Sequence, residues 1–336
     1  MQAADFDYHL PDAAIAQTAM EPRDASRLLV AATLEDRRFA DLPEILRSGD
    51  LLVVNRTRVR HARLRGTRVT TGGAVEALLL RRLDDRHWEA LLRPSRRLRA
   101  GSVLRFGSID AVVHSDPVRG VATVVLSAAA DVDDVLVEIG EIPLPPYFHG
   151  ELAHDDRYQT MFAKEPGSAA APTAALHFTP RLVERLLGTG IGIAEIDLHV
   201  GLDTFRPMDD GPLETHVMHT EWFTVPHATV GAVEGTRRNG GRVVAVGTTS
   251  VRALETAAAS GELRAMTAES DLFITPGHRF RSVDAVITNF HAPRTTLLAL
   301  IAALVGPDWR VMYEHALRSG YRFLSFGDAM FVEEGP

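Results

Sequence analysis

The sequence predicts an α/β protein in which both chain ends build a larger α/β domain around an inserted small β-barrel domain. Three observations lead there. At both ends short apolar runs alternate with stretches of helical period, the pattern of βαβ units. From about residue 59 to 142 the chain changes to short, closely spaced strands punctuated by Gly72-Gly73, Asp84-Asp85, Gly101, Gly107 and Gly120, the rhythm of a barrel or sandwich. Ile142-Pro-Leu-Pro-Pro-Tyr147 is then too proline-rich for regular structure and returns the chain to the first pattern. The expected domains are residues 1–58 plus 143–336, and residues 59–142.

With 336 residues, 46% of them hydrophobic, the chain can bury a sizeable core in two or three domains. It has no cysteine, which excludes a disulfide frame, a thiolate metal site and a cysteine nucleophile. No apolar run reaches the length of a membrane span, and the start lacks the basic and apolar regions of a secretory signal, so a cytoplasmic location is expected.

Net charge is −8, which alone argues against nucleic acid as a partner; its distribution reverses that inference. Between Arg56 and Arg105 stand fourteen arginines against four acids, Glu76, Asp84, Asp85 and Glu89. An arginine-dense segment on an otherwise acidic protein is the footprint of a phosphate-binding surface.

In order, Asp12–Gln17 suits a helical turn, Arg27–Ala32 a strand, Leu42–Leu46 a helix capped by Asp41 with Pro43 in its first turn, and Leu51–Asn55 a buried strand. The inserted module offers strands at 75–80, 88–92, 103–106, 111–114 and 121–126, then a helix at 132–139. Thr179-Pro180 opens a helix to Leu187, a strand covers 191–200, and Arg242–Val246 is a strand whose end, Gly247-Thr-Thr-Ser250, leads into a helix. Val283–Ile287 reads as a buried strand, Thr295 caps the helix bearing Leu297, Leu298, Ile301 and Leu304, and a helix at 309–317 and a strand near 323–332 close the chain.

Five polar turns sit at these strand and helix ends: 174–179, 199–205, 247–252, 271–277 and 288–296. Open α/β sheets bind ligands at the carboxyl ends of their strands, so convergence of such turns on one edge points to a small-molecule site. No Walker loop, Gly-x-Gly-x-x-Gly or Gly-x-Ser-x-Gly elbow is present, which removes support from nucleotide hydrolysis, simple dehydrogenation and serine hydrolysis. His216, His219 and Glu221 do not have the spacing of a His-Glu-x-x-His zinc site and suit acid–base or ligand contact better than metal. Lys164 is the only lysine, a compact titratable ammonium retained where arginine otherwise serves.

Taken in order, the motifs resemble those of the S-adenosylmethionine:tRNA ribosyltransferase-isomerase family over nearly the whole chain. They include Asp5-Phe-Asp-Tyr8, Ser26-Arg-Leu-Leu29, Gly49-Asp-Leu-Leu-Val-Val-Asn55, Pro143-Leu-Pro-Pro-Tyr147, Tyr158-Gln-Thr160 and Ala163-Lys-Glu-Pro-Gly167. Ala171-Pro-Thr-Ala174, Leu198-His-Val-Gly201, Thr204-Phe-Arg-Pro207, Gly247-Thr-Thr-Ser-Val-Arg252, Phe273-Ile-Thr-Pro-Gly277, Thr288-Asn-Phe-His291 and Gly327-Asp-Ala-Met330 continue the match.

The resemblance implies an α/β domain with an inserted β-barrel, and transfer of the ribosyl part of S-adenosylmethionine to a 7-aminomethyl-7-deazaguanine base in tRNA. The product is epoxyqueuosine; adenine and methionine leave. It implies no metal and no cofactor beyond S-adenosylmethionine as substrate, and the tRNA anticodon stem-loop as partner; no membrane contact and a monomer are expected. A sulfonium acidifies the ribose 5′-carbon, so a base is needed, and adenine must be protonated as it leaves. His177, His199, His219, Glu221 and His291 are the catalytic candidates. Lys164, Thr204, Phe205, Thr248, Thr249, Arg252, Asn289 and Asp328 are those for substrate, and Arg56, Arg58, Arg96, Arg97 and Arg99 those for nucleic acid.

Family members usually carry Asp at the position of Arg56, Gly at Ala175 and Asp203, Tyr at His278 and Phe326, and Lys at Arg294. These departures keep two alternatives open: a divergent paralog using S-adenosylmethionine on a small deazapurine or other non-tRNA acceptor, and a noncatalytic RNA-binding protein using only the arginine-rich module.

Overall fold

Continuous apolar strings build the middle of a large sheet. The structure is a computed structural model and describes residues 1–150, 152, 154–201, 206–218 and 220–335. It divides into two compact units: Met1–Arg58, Pro145–Glu165 and Ala171–Pro336 form the first, and Val59–Leu144 with Pro166–Ala170 the second. The sequence pattern assigns 166–170 to the α/β body, but the Arg60 N–H donates to the Ser168 carbonyl at 3.0 Å and ties this stretch to the barrel's first residues.

The early strands of the first unit are β1 (Arg27–Val30), β2 (Glu35–Arg38) and β3 (Leu51–Asn55), with a short β4 (Arg58–Val59) after them. The second unit holds β5 (Arg63–Arg68), β6 (Ala74–Arg82), β7 (His87–Arg93), β8 (Val103–Phe106), β9 (Ile109–Val113) and β10 (Val121–Ser127). Antiparallel pairing in the order β10-β7-β6-β5-β8-β9 closes them into a barrel. Burial alternates along β7 and β10, as a barrel with a filled interior requires.

The sequence pattern does not single out β5, because Arg-Leu-Arg-Gly-Thr-Arg offers one apolar residue. Gly66 makes its pairing possible: a Cβ there would lie 2.0 Å from the Arg105 carbonyl oxygen.

After a short β11 (Pro166–Ser168) come β12 (Gly192–Leu198), β13 (Glu221–Val225), β14 (Val243–Val246), β15 (Met266–Ser270), β16 (Ala285–Asn289) and β17 (Ala329–Glu333). Among the described residues a nine-stranded sheet runs β15-β13-β12-β3-β14-β16-β17-β1-β2. Strands β12, β3, β14 and β16 are mutually parallel, so their carboxyl ends share one edge. β3, β14 and β16 are buried at every position, which is why they read as unbroken apolar strings rather than alternations. At the far edge β2, Glu-Asp-Arg-Arg, is charged and largely exposed, which discourages pairing with another chain.

The helices are α1 (Leu42–Ile45), α2 (Val132–Ile139), α3 (Pro180–Gly188), α4 (His227–Arg238), α5 (Thr248–Ala257), α6 (Thr296–Val305) and α7 (Trp309–Arg318). Thr179 and Thr295 cap α3 and α6 as expected, their hydroxyls accepting from Leu182 N–H and Leu298 N–H. Asp41 does not cap α1; its carboxylate accepts instead from Arg38 N–H at 2.9 Å. Helix α4 and strands β13 and β15 are not anticipated: α4 carries two glycines and β15 is polar and mostly exposed.

The last strand begins at Ala329 rather than near 323. Leu324 has φ 68°, and a Cβ on Gly327 would lie 2.3 Å from the Arg322 carbonyl oxygen, so 321–328 turns instead of extending. The run Thr296–Arg318, 23 residues, contains an 18-residue window of mean hydropathy 1.2 and is long and apolar enough by composition to cross a bilayer, yet half of that window is buried inside the protein. Leu298, Leu300, Ile301, Leu304, Trp309 and Tyr313 are each at most 3% exposed, which is how a core helix reads.

Candidate active site

Strands β14 and β16 end side by side in Gly247-Thr248-Thr249 and Asn289-Phe290-His291. A cleft open to solvent lies at that edge. Its walls are residues 171–174, Val200, 247–249, 288–292, Thr295 and Leu297, closed by Tyr147, Leu324 and Ser325. Of the five polar turns, those at 174–179, 199–205 (through Val200), 247–252 and 288–296 reach it; the turn at 271–277 does not.

Gly247 leaves β14 with φ 85°, a conformation that costs a side-chain-bearing residue, and α5 starts at the next residue with no side-chain cap. The amides of Thr248 and Thr249 therefore belong to the unsatisfied first turn, facing the cleft at the positive end of the helix dipole. The Thr249 hydroxyl is buried there and has no hydrogen-bond partner among the described residues.

Opposite stands Asn289, 3% exposed. Its Nδ2 donates to His177 Nε2 at 3.1 Å and reaches the Asp328 carbonyl at 3.4 Å, while its Oδ1 accepts from the Thr173 hydroxyl at 2.9 Å. With both amide hydrogens engaged, Asn289 offers the cleft only the second lone pair of Oδ1.

His177 is held on both nitrogens, since Nδ1 meets Ser26 Oγ at 2.8 Å while Nε2 accepts from Asn289. That arrangement requires the neutral Nδ1–H tautomer. Burial agrees, depressing its pKa to about 4 against a smaller opposing pull from Asp328. Phe39 stacks on the ring at 4.9 Å.

His291 lines the cleft and is also neutral, burial holding its pKa at about 3. Its Nε2 lies 3.1 Å from Thr288 Oγ1, and Nδ1 makes no hydrogen bond to a described residue. Tyr8 donates to the His291 carbonyl and His291 N–H donates to Tyr313 Oη, which fixes the backbone of this turn.

The other sequence candidates lie elsewhere. Glu221 and Arg252 form a buried ion pair, with Gly201 N–H donating to Glu221 Oε1 at 2.9 Å and Arg252 Nη2 to the Ser270 carbonyl at 3.2 Å. Asp328 accepts from Arg27 N–H and Arg322 N–H, tying the start of β1 to the turn before β17. Lys164 pairs with Glu195 at 2.7 Å, and Arg56 grips Asp197 through Nε and Nη2 with Glu195 at 3.6 Å. These four residues make one charged network on the flank of β12. His199 packs on Trp222 at 4.5 Å and is absent from the cleft wall. His219, Thr204, Phe205 and Asp203 lie outside the described residues. Ala175 is fully buried, His278 meets Glu255 at 3.3 Å, and Arg294 pairs with Asp210.

In the barrel, Arg63, Arg65, Arg82 and Arg105 are matched by Glu76, Glu141, Asp133 and Asp110. Arg93 at the end of β7 and Arg96, Arg97 and Arg99 on the turn after it are exposed without a carboxylate partner among the described residues, as is Arg58 in the first unit. Three cleft residues were not singled out from sequence: Tyr147, Thr173 and Ser325. Each sits in or beside a motif quoted above, but nothing local shows that Tyr147 and Ser325 meet, Oη to Oγ at 2.5 Å, across 178 residues of chain. Burial raises the Tyr147 phenol above its ordinary range, so it remains a hydrogen-bonding group rather than an anion.

A family model described as "Queuosine biosynthesis protein" matches residues 3–332. The chain is 48% identical over 341 residues to the S-adenosylmethionine:tRNA ribosyltransferase-isomerase of Symbiobacterium thermophilum, covering 99% of this chain and 100% of that one. It is 49% identical over 342 residues to the protein of the same name from Moorella thermoacetica, with the same coverage. It is also similar to the crystal structure of S-adenosylmethionine tRNA ribosyltransferase from Thermotoga maritima, with a TM-score of 0.56, 37% identity, and coverage of 97% of this chain and 99% of that one.

Proposed function

This chain belongs to the S-adenosylmethionine:tRNA ribosyltransferase-isomerase family, and from that premise we propose how its cleft performs the reaction. The enzyme acts in queuosine biosynthesis, transferring and isomerising the ribosyl moiety of S-adenosylmethionine onto the 7-aminomethyl-7-deazaguanine base of tRNA to make epoxyqueuosine. Adenine and methionine leave.

The polarity of the cleft walls carries the reading. One wall offers donors, the first amides of α5 and the unpartnered Thr249 hydroxyl; the other offers acceptors, Asn289 Oδ1 and Thr173 Oγ1. A methionyl group is a zwitterion and fits that pair, its carboxylate on the helix start and its ammonium on the acceptors. Val200, Leu297 and Leu324 give an apolar surface for the nucleoside part.

His291 is the general base. Neutral at pH 7, it has a lone pair for the proton on the ribose 5′-carbon beside the sulfonium. The imidazolium so formed is disfavoured by burial and is therefore a strong acid, so it returns the same proton to the departing adenine. His177 positions Asn289 rather than touching the reacting atoms. The sulfonium supplies the activation, so no step calls on a metal.

Arg96, Arg97 and Arg99 on the barrel turn contact RNA phosphates of the anticodon stem-loop, and Arg58 in the first unit does likewise; the exposure of each without a carboxylate partner among the described residues supports this. Arg56 and Lys164 brace the β12 flank through their carboxylates. The chain works as a monomer in the cytoplasm.

The test is adenine release from S-adenosylmethionine by the purified protein, with and without tRNA bearing the aminomethyl base. Release that depends on the modified tRNA is expected; well-folded protein that releases none overturns the reading.

A further inference from the structure

Next to the cleft lies a second, small pocket, open to solvent, that shares Ser325 with it and has His177 in its wall. Its remaining polar side chains are two guanidiniums, Arg23 and Arg157; no carboxylate lines it among the described residues. Both are anchored from outside. Arg23 donates to the carbonyls of Gln159 and Asp156, each at 2.8 Å. Arg157 donates to the Met20 carbonyl at 3.2 Å and pairs with Glu21, which is 73% exposed and so a weak counter-charge.

A third guanidinium stands close by. Arg322 donates through Nη1 to the Thr18 carbonyl, while its Nη2 is buried, 3.6 Å from Asp328 Oδ1 and without a hydrogen-bond partner among the described residues. The Asp328 oxygens are already occupied by two backbone N–H groups. The three guanidiniums around this pocket are thus balanced only by Glu21 and Asp156, both exposed to solvent, and by Asp328, whose oxygens are already engaged. Burial lowers the Arg23 pKa and Arg157 lowers it further, against opposing pulls from Glu21 and Asp156.

We propose that this cavity is a phosphate subsite in which Arg23 and Arg157, backed by Arg322, hold an RNA phosphodiester flanking the nucleotide whose base enters the cleft. The inference rests on the reading that the acceptor base is worked on in the cleft. The methionyl carboxylate is taken by the start of α5, so a second anion must come from the RNA, which brings one with every nucleotide. A base taken out of its stack carries its own phosphates with it, and Ser325 places the cavity one side chain from the cleft. Two forked guanidiniums anchored on carbonyls match the oxygens of a phosphodiester without having to be ordered on binding.

The test uses the full enzyme and ligated tRNA carrying a neutral methylphosphonate at one linkage on either side of the target nucleotide, with tRNA affinity and turnover both read. Arg157→Gln is expected to weaken tRNA binding roughly tenfold, to lower the slope of log affinity against log salt by about one, and to leave the KM for S-adenosylmethionine in place. One neutral linkage should cost the wild type a similar factor and cost Arg157→Gln nothing further, and Arg157→Lys should recover part of the loss. Equal sensitivity of wild type and variant to the neutral linkage overturns the proposal, as does an Arg157→Gln defect confined to S-adenosylmethionine. Wild-type enzyme that binds the tRNA but never releases adenine sinks the underlying reading instead, while the affinity arm still decides the phosphate subsite.

Discussion

Around the cleft the working side chains carry no formal charge: Thr173, Thr249, Asn289 and His291 meet there, with both histidines of the neighbourhood held neutral by burial. Around β12 and β13 the reverse holds. Arg56, Lys164, Glu195 and Asp197 close a network on the flank, and Glu221 locks with Arg252 in the interior. The charged residues that attract the eye in the sequence are thus used up on each other, whereas the neutral ones at the ends of β14 and β16 retain hydrogen-bonding capacity. In a low-dielectric interior an ion left without a partner costs several kcal/mol, so charges find partners first, and a ligand is met by whatever polarity remains.

The contrast is broken most severely at Arg252. Replacing it with Met strands the Glu221 carboxylate at 6% exposure and should destabilise the fold by about 3–5 kcal/mol in denaturant unfolding. The double variant Glu221→Gln/Arg252→Met should recover most of that. If the single variant instead keeps its stability and loses only S-adenosylmethionine binding, Arg252 belongs to the substrate and the contrast fails.

A smaller effect is expected on the cleft side. Asn289→Asp replaces the amide that donates to His177 with a second acceptor, so His177 must take a proton on Nε2 to stay bonded. We expect kcat/KM to fall about 100-fold, some 2.7 kcal/mol, with the unfolding midpoint little changed and with the His177 imidazolium visible by nitrogen NMR at neutral pH. Unchanged His177 chemical shifts would show that the amide does not set its tautomer.

The pH dependence sharpens the comparison further. His177 and His291 have pKa values near 4 and 3 in the fold, against about 6.5 when unfolded, so the unfolded chain binds more protons at acid pH. Their contribution is therefore complete above about pH 6.5 and is lost as pH falls toward the folded values. Between pH 7 and pH 5, where carboxylates scarcely titrate, each should cost roughly 2 kcal/mol. Urea unfolding of wild type and His291→Asn at both values checks this: the variant should lose about half of the acid sensitivity, and an unchanged slope would mean that His291 is protonated in the fold.

Much of this architecture was legible residue by residue. Leu51–Asn55 and Arg242–Val246 read as buried strands because parallel strands covered on both faces have no polar side to show. Thr179 and Thr295 announced their helices through capping chemistry, which is local, and Val103–Phe106 and Val132–Ile139 stand where their patterns place them. β5 and β15 were not legible, since their pairing partners rather than their own side chains hold them extended. The polar turns announced a site at a strand edge, but not which of them would share it.

By itself, then, the sequence determined the α/β plan, the inserted barrel, the family and the short list of residue types the chemistry needs, because each of these is written in local periodicity or in ordered motifs. Only the tertiary structure decided which of those residues face a ligand. Whether Glu221 is a base or half of an ion pair depends on Arg252, thirty-one residues away; whether His177 can take a proton depends on Ser26 and Asn289, 151 and 112 residues away. A side chain's protonation state and spare hydrogen bonds are set by its neighbours in space, and the fold chooses those neighbours.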